Sequence, residues 1–234
     1  MLVEQAIYTS AQTSRGRGYH LVSRSAGITG DMESQLNRWC PSHASLLDPS
    51  DDASSLNFHP LEGDYFSLSR TVYGEREYSQ RGGLQVVTLI LVLQRRHLAG
   101  YGNNPLTLAR VARALGHVRW RNEFPPRLPE VDLPDEASSE FIAPTPSRAF
   151  PLLEETVNLL RRDQDVALLT ESDGLAFIAA ILERLAEPER CQLSFTSGLK
   201  PSQQRPFRLH VIRHADRETQ QKLRCQNIHC VATT

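Results

Sequence analysis

The sequence lacks the surplus of basic residues that nucleic-acid-binding proteins carry. It contains 26 Lys and Arg against 27 Asp and Glu, which gives a formal net charge of −1 over 234 residues. Proteins that bind DNA or RNA neutralise phosphates with Lys and Arg, so their composition is normally basic. The composition therefore argues against a nucleic-acid partner.

The sequence also lacks the features of export and of membrane insertion. Its first twenty residues contain no basic segment followed by an apolar one, so we expect no signal peptide. The longest apolar run, residues 84–93, is interrupted by Gln85 and Thr88 and is too short to cross a bilayer as a helix. Four cysteines are too few for a disulfide framework. These absences predict a soluble protein of a bacterial cytoplasm with no membrane partner.

Common catalytic and phosphate-binding motifs are absent. The sequence contains no G-x-S-x-G, H-E-x-x-H or D-x-D-x-D-G pattern, and its glycine-rich segments at 15–18 and 81–83 match neither a P-loop nor a dinucleotide fingerprint. Residues 170–174 precede a predicted helix, whose first amides attract anions. Glu171 and Asp173 in that segment would repel a phosphate, however. We therefore expect no catalytic residue and no cofactor.

Cysteine and histidine occur close together at two places in the chain. Cys40 and His43 form one group, and Cys225, His229 and Cys230 form the other. Structural zinc sites usually take two ligands from each of two tight turns, and neither group has such a spacing. The pair at 40 and 43 also has the residue types of a Cys–His nucleophile, but catalytic partners are matched in space and not in sequence. We predict no metal site and no nucleophile here.

Proline divides a chain whose apolar content of 40% is ordinary for a globular protein. Six of the fourteen prolines lie in residues 123–147. Because proline removes a backbone donor and fixes φ, this segment is unsuited to the interior of a helix or a strand. The sequence thus predicts an α+β protein in three parts: a strand-rich N-terminal domain with a mixed sheet at 1–122, a Pro-rich linker at 123–147, and a smaller α/β domain at 148–234.

Hydrophobic periodicity gives the expected elements of both domains. In the first domain we expect strands at 3–9, 19–23, 65–73 and 84–93, a helix at 31–39 and a helix capped by Asn104 that stops at Gly116. In the second domain we expect helices at 149–162 and 216–223, a helix capped by Ser172 that ends before Pro188, and strands at 166–169, 191–195 and 207–212. Residues 84–93 are apolar on both faces, which predicts a covered central strand. The strand–helix–strand order of 166–195 is compatible with a parallel crossover.

The segment 69–83 is dense in arginine, tyrosine and glycine. One interpretation is a hairpin with a solvated charged tip that leads into the central strand. The other is a recognition edge, because arginine and tyrosine are enriched at the energetically important centres of protein interfaces. We take the second interpretation as a hypothesis, in which the residues that bind a partner protein are Arg70, Tyr73, Arg76, Tyr78 and Arg81.

Four stretches of the chain resemble a known family. They are A-I-Y-T-S-A-Q at 6–12, G-Y-H-L-V-S-R-S-A-G-I at 18–28, S-R-T-V-Y-G-E-R-E-Y-S-Q-R-G-G-L-Q-V-V-T-L-I-L-V-L at 69–93, and A-A-I-L-E-R-L-A-E-P-E-R-C-Q-L-S-F-T-S-G-L at 179–199. The first three are similar to the type 2 N-terminal domain of the GTPase-associated protein family, and the fourth resembles part of the middle region of the same proteins. The resemblance implies a role beside a GTPase in multi-gene bacterial systems of biological conflict. It supplies no catalytic residue.

Two functions remain open at this point. The first is a non-enzymatic adaptor or regulatory interaction module associated with a GTPase. The second is an enzyme or a nucleotide-sensing domain whose site is assembled from polar residues distant in the sequence. Saturable stabilisation by a small molecule distinguishes them, because a ligand that binds only the folded state raises the apparent stability.

Overall fold

A computed structural model describes residues 1–13, 16–43, 45–48, 50, 52–77, 83–137, 150–171, 173–213 and 215–232. Its strands are β1 (Leu2–Thr13), β2 (Gly16–Arg24), β3 (Ser54–Pro60), β4 (Tyr65–Arg76), β5 (Leu84–Gln94), β6 (Val131–Asp132), β7 (Val166–Leu169), β8 (Phe195–Ser197), β9 (Leu209–Ile212) and β10 (His229–Ala232). Its helices are α1 (Gly30–Trp39), α2 (Arg95–Ala99), α3 (Pro105–Ala114), α4 (Phe150–Arg161), α5 (Gly174–Arg184), α6 (Glu187–Arg190) and α7 (Arg217–Cys225).

All ten strands of the described residues belong to one mixed sheet. Nine follow the order β10-β7-β9-β8-β3-β4-β5-β1-β2, and the short β6 pairs with β1 beside this path. The strands from the N-terminal half pair antiparallel, whereas β7 to β10 pair parallel among themselves. The two halves join where β3 pairs antiparallel with β8. The α+β prediction is confirmed, and both halves share one sheet, while the boundaries of the predicted domains stay a prediction.

Strand β5 lies inside the sheet, as its composition predicts. It pairs with β1 on one side and with β4 on the other. Its side chains from Val86 to Leu93 are all buried because both faces are covered, and the one polar residue among them, Thr88, pairs its hydroxyl with that of Thr71 at 3.0 Å. Ile90, at the centre of the strand, exposes only 1% of its surface. The prediction of a covered central strand is therefore confirmed.

The two faces of the sheet differ in polarity. On one face, apolar residues such as Phe58, Leu68 and Leu89 form the main core with the buried sides of α3, α4 and α5. The opposite face carries buried polar residues at alternate strand positions, because successive side chains of a strand point to opposite faces. Smaller apolar clusters flank these polar residues, one under α1 and one under α7.

Capping side chains set where the longer helices begin. Asn104 accepts hydrogen bonds from the amides of Leu106 and Thr107 and, with Pro105 at the first position, starts α3 as predicted. That helix stops before Gly116, which has a φ of 83°. The cap of α5 is Asp173, whose carboxylate accepts from the amide of Leu175 at 3.0 Å. The prediction of Ser172 as this cap is wrong, and Ser172 itself lies outside the described residues.

One further expectation is wrong. A strand was expected at 191–195, but α6 ends at Arg190 and a turn follows, so that β8 begins only at Phe195. The reason is tertiary: only the residues from Phe195 onward reach β3 and β9 for pairing. β3 and β10 were not expected at all.

No helix within the described residues combines the length and the apolar character that a bilayer crossing requires.

Candidate functional site

A cleft of about 840 Å³ opens at the junction of the two halves of the sheet. Its walls come from α3 on one side and from the start of α5 on the other, and its base includes the ends of β8 and β9. The strands β7, β8 and β9 run parallel, so their carboxyl ends meet at this edge. Crevices outside the carboxyl ends of parallel strands are the usual place for ligands in sheets of this kind.

Four arginines from separate parts of the chain line the cleft: Arg70, Arg110, Arg113 and Arg213. Arg70 lies on β4, on the face that otherwise carries the apolar core, and its Nη1 donates a hydrogen bond of 3.4 Å to the carbonyl of Val118. Arg110 and Arg113 are three positions apart on α3, so they lie on the same side of that helix. Arg213 follows directly after β9.

Three of these arginines, Arg70, Arg113 and Arg213, have no ion pair with a described carboxylate. Asp173 caps α5, and Asp48 accepts a hydrogen bond of 2.9 Å from the amide of Ser50. Burial lowers the pKa of Arg70, and the charge of nearby Arg113 lowers it further. Positive charge therefore accumulates on the α3 side of the cleft.

Apolar side chains form the rest of the lining. Leu106 and Val118 contribute from α3 and the turn after it, Val211 contributes from β9, and Leu56 and Leu175 are half-buried at the margin. Sites for small molecules are typically concave, mostly apolar, and equipped with a few converging polar groups. The cleft thus combines an apolar base with a cationic wall.

The structure places the predicted interface residues at different locations. Arg70 and Tyr73 point to opposite faces of β4: Arg70 lines the cleft, and Tyr73 packs against the cluster of Leu46, Ala53, Leu199 and Phe207. Arg76 is exposed beyond an irregularity in the pairing of β4 with β5. Tyr78 and Arg81 lie outside the described residues.

The Cys and His groups of the sequence are not brought together. Cys40 follows α1, which packs on β2 at one edge of the sheet, whereas His229 and Cys230 lie in β10 at the other edge. Burial raises the pKa of the Cys40 thiol to about 12, so this thiol is protonated at neutral pH and is a poor nucleophile. In the described part of the chain, no group of three or more His, Cys, Asp or Glu residues fits a metal ion.

The sequence pattern singled out one of the four cleft arginines, Arg70, as a residue that binds a partner protein, and that role stays a prediction. It did not single out Arg110, Arg113 or Arg213. The spacing of Arg110 and Arg113 on a predicted helix was visible, but an exposed arginine pair is common on helices. Only the pairing of β3 with β8, which places α3 opposite the start of α5, gives these side chains a shared cleft.

Comparison with known proteins identifies the N-terminal part of the chain. Residues 2–134 match the family model of GTPase-associated protein 1, N-terminal domain type 2. The matched region contains β1 to β6 and α1 to α3, and with them Arg70, Arg110 and Arg113. Neither the curated proteins nor the solved structures include a match to this chain.

Proposed function

The chain belongs to the family that carries the type 2 N-terminal domain of GTPase-associated protein 1, and on this premise we propose that it is a non-enzymatic adaptor or regulatory module for a GTPase. The proposal places it in the cytoplasm as part of a bacterial conflict system. A formal net charge of −1 favours a protein partner over a nucleic acid. The resemblance of residues 179–199 to the middle region of the same proteins is consistent with this role.

The exposed end of β4 is the observation that supports a protein-binding surface most directly. Arg76 is exposed there, next to exposed Glu75, at a register shift between β4 and β5. Irregularities of this kind re-aim side chains and interrupt pairing, and they are common next to functional sites. Glu77 accepts a hydrogen bond of 2.8 Å from Ser10, which fixes the end of β4 against β1. Arginine held on such a fixed strand end suits a contact surface, since its planar guanidinium loses little freedom on binding.

The test is capture of a GTPase by the full chain, followed by a direct binding measurement. The immobilised chain is exposed to native lysate, retained proteins are identified by mass spectrometry, and the recovered GTPase is purified in its GDP and GTP-analogue forms. We expect Arg76→Ala to weaken its binding by about tenfold or more, the usual loss at an interface anchor. The matched control is Arg17→Ala, because Arg17 is likewise an exposed arginine on a strand.

The proposal fails if no GTPase binds the full chain in either nucleotide state. If a GTPase binds the Arg76→Ala variant as tightly as the wild type, the end of β4 is excluded as the contact surface. Thermal melts of both variants are needed alongside, since an unfolded variant would lose binding for another reason.

The second candidate function is nucleotide sensing, and the cleft between α3 and α5 favours it. Its arginines come from β4, from α3 and from the end of β9, which is the kind of site that distant residues assemble. Sensing would not replace the adaptor role, because the cleft and Arg76 lie at different places.

A further inference from the structure

We propose that the cleft between α3 and α5 binds a phosphorylated small molecule of nucleotide type, with its phosphates on Arg70, Arg110 and Arg113 and its apolar part on the base of the cleft. The proposal rests on the sensing role named above and goes beyond the adaptor role. It assigns a ligand class and an orientation to a site that family membership does not describe.

Three guanidinium groups line the α3 side of the cleft. Arg110 and Arg113 present two of them from one side of α3, and Arg70 adds a third from β4. The hydrogen bond from Arg70 to the carbonyl of Val118 ties the middle of β4 to the turn that follows α3. Arginine recognises phosphate with two parallel hydrogen bonds in a fixed planar geometry, so three arginines can hold two or more phosphate groups.

The positive charges of Arg70 and Arg113 are not balanced by a described carboxylate. Arg70 and Arg113 are close enough to affect each other electrostatically, and neither has an ion-pair partner among the described carboxylates. Placing like charges together in a partly buried site is unfavourable in the absence of an anion. A bound phosphate removes this repulsion, and the relief contributes to its affinity.

The acidic groups of the cleft restrict where a phosphate can bind. Asp173 occupies the amino end of α5 with its own carboxylate, so the phosphate is directed to the α3 wall and away from the helix end. A carboxylate has about four lone-pair sites, and capping the amide of Leu175 uses one of them. Asp173, which lines the cleft, can therefore accept further hydrogen bonds from hydroxyl or amino groups of the ligand.

The size and the polarity of the cleft suit a small molecule. A volume of about 840 Å³ lies within the range of small-molecule sites, which is roughly 300–1,000 Å³. Leu106, Val118 and Val211 provide an apolar base next to the arginines of the α3 wall. A molecule with phosphates at one end, an apolar ring system and hydrogen-bond donors at the other end fits the arginines, the apolar base and Asp173. Nucleotides have this arrangement, whereas inorganic phosphate uses only the arginines.

The experiment measures thermal shift and calorimetric binding of the full chain with ATP, GTP, CTP and UTP, with adenosine, and with inorganic phosphate and pyrophosphate. We expect saturable stabilisation by at least one nucleotide, weaker binding of pyrophosphate, and none of adenosine. Arg113→Glu should weaken nucleotide binding by about tenfold or more, since it replaces a charge-assisted hydrogen bond with repulsion. The matched control is Arg38→Glu. Arg38, like Arg113, is an exposed arginine in the last turn of a ten-residue helix. Both substitutions therefore remove the same favourable interaction of a positive charge with the carboxyl end of the helix dipole.

Three outcomes would overturn the proposal. The first is the absence of any saturable shift with the nucleotides. The second is equal binding by the Arg113→Glu and Arg38→Glu variants. The third is inorganic phosphate or pyrophosphate binding as tightly as every nucleotide, which would show that the apolar base makes no contribution. The adaptor role is tested separately, because Arg113→Glu should leave capture of the GTPase intact and Arg76→Ala should leave nucleotide binding intact.

Discussion

Thr196 donates a hydrogen bond of 2.6 Å from its hydroxyl to the side-chain oxygen of Asn57, across the pairing of β8 with β3. This bond joins the parallel half of the sheet to the antiparallel half. The same oxygen of Asn57 accepts from Ser55, and its amide nitrogen donates to Ser69 and Thr71 at 3.4 Å. Asn57 therefore serves as the centre of a buried polar network that spans β3, β4 and β8.

Replacing Asn57 should destabilise the protein strongly. Asn57→Ala removes partners from several buried hydroxyl groups, and each orphaned group costs about 1–3 kcal/mol. We expect the free energy of unfolding to fall by about 2–4 kcal/mol, measured by urea denaturation. Asn158→Ala is the control, because Asn158 is exposed on α4 and alanine favours a helix. A loss below about 1 kcal/mol would show that water or a rearranged network replaces the amide.

A charge placed in β5 should be tolerated even less. Ile90→Asp puts a carboxylate at a side chain that is 1% exposed, between β1 and β4. Burial of an unpaired charge predicts a loss of more than about 4 kcal/mol, or failure to fold. Leu115→Asp is the matched control at a leucine that is 51% exposed, and we expect it to cost less than about 1 kcal/mol. Soluble Ile90→Asp protein with a normal melting temperature would contradict the central position of β5.

Two histidines that are buried in the described part of the chain predict a loss of stability in mild acid. Burial lowers the pKa of His59 and of His210 to about 4, against an ordinary value near 6.5. Because the unfolded chain binds protons more tightly than the folded protein, stability is full above pH 6.5 and falls as the pH drops from 6.5 towards 4. At pH 4 the free energy of unfolding has fallen by about 3 kcal/mol for each histidine, because a shift of one pKa unit corresponds to about 1.4 kcal/mol.

Urea unfolding at several pH values between 4 and 7.5 measures this dependence. The His59→Gln variant should show a smaller loss of stability between pH 6.5 and 4.5 than the wild type. A variant whose pH profile matches that of the wild type would mean that His59 is protonated in the folded protein. The control substitution is His20→Gln. His20 lies on β2 and is only half-buried, unlike His59, and its ring nitrogens are hydrogen-bonded to the side chain of Thr13 and the carbonyl of Gly18.

The shared sheet predicts that the two halves do not separate after cleavage. A protease site placed within residues 138–149 allows the chain to be cut without touching any described strand or helix. We expect the two fragments to co-elute in gel filtration, because separation would expose the edge of β3 and the paired edge of β8. Fragments that elute separately as folded monomers would instead support two independent domains with the predicted boundaries.

Elements with a strong local pattern were predictable, and those that depend on distant partners were not. The apolar residues of β5 predict a covered strand. The pair Asn104-Pro105 predicts the start of α3, because an N-cap residue and a proline at the first helical position act on the backbone next to them. β3 is not among the predicted elements, although Ser55, Asn57 and His59 alternate with apolar residues as in a half-buried strand. What that pattern does not indicate is that these three polar side chains are buried. These groups are buried because the neighbouring strands supply their hydrogen-bond partners.

The sequence by itself determined the α+β class, the central strand and the family of residues 2–134, because each depends on the local order of residue types. The tertiary structure alone decided that both halves share one sheet and that Arg70 and Arg113 line the same cleft. The shared sheet arises from strand pairing between residues that are more than a hundred positions apart, and no local pattern of charge or hydropathy encodes it. The cleft depends on that pairing, because its lining comes from both halves of the chain.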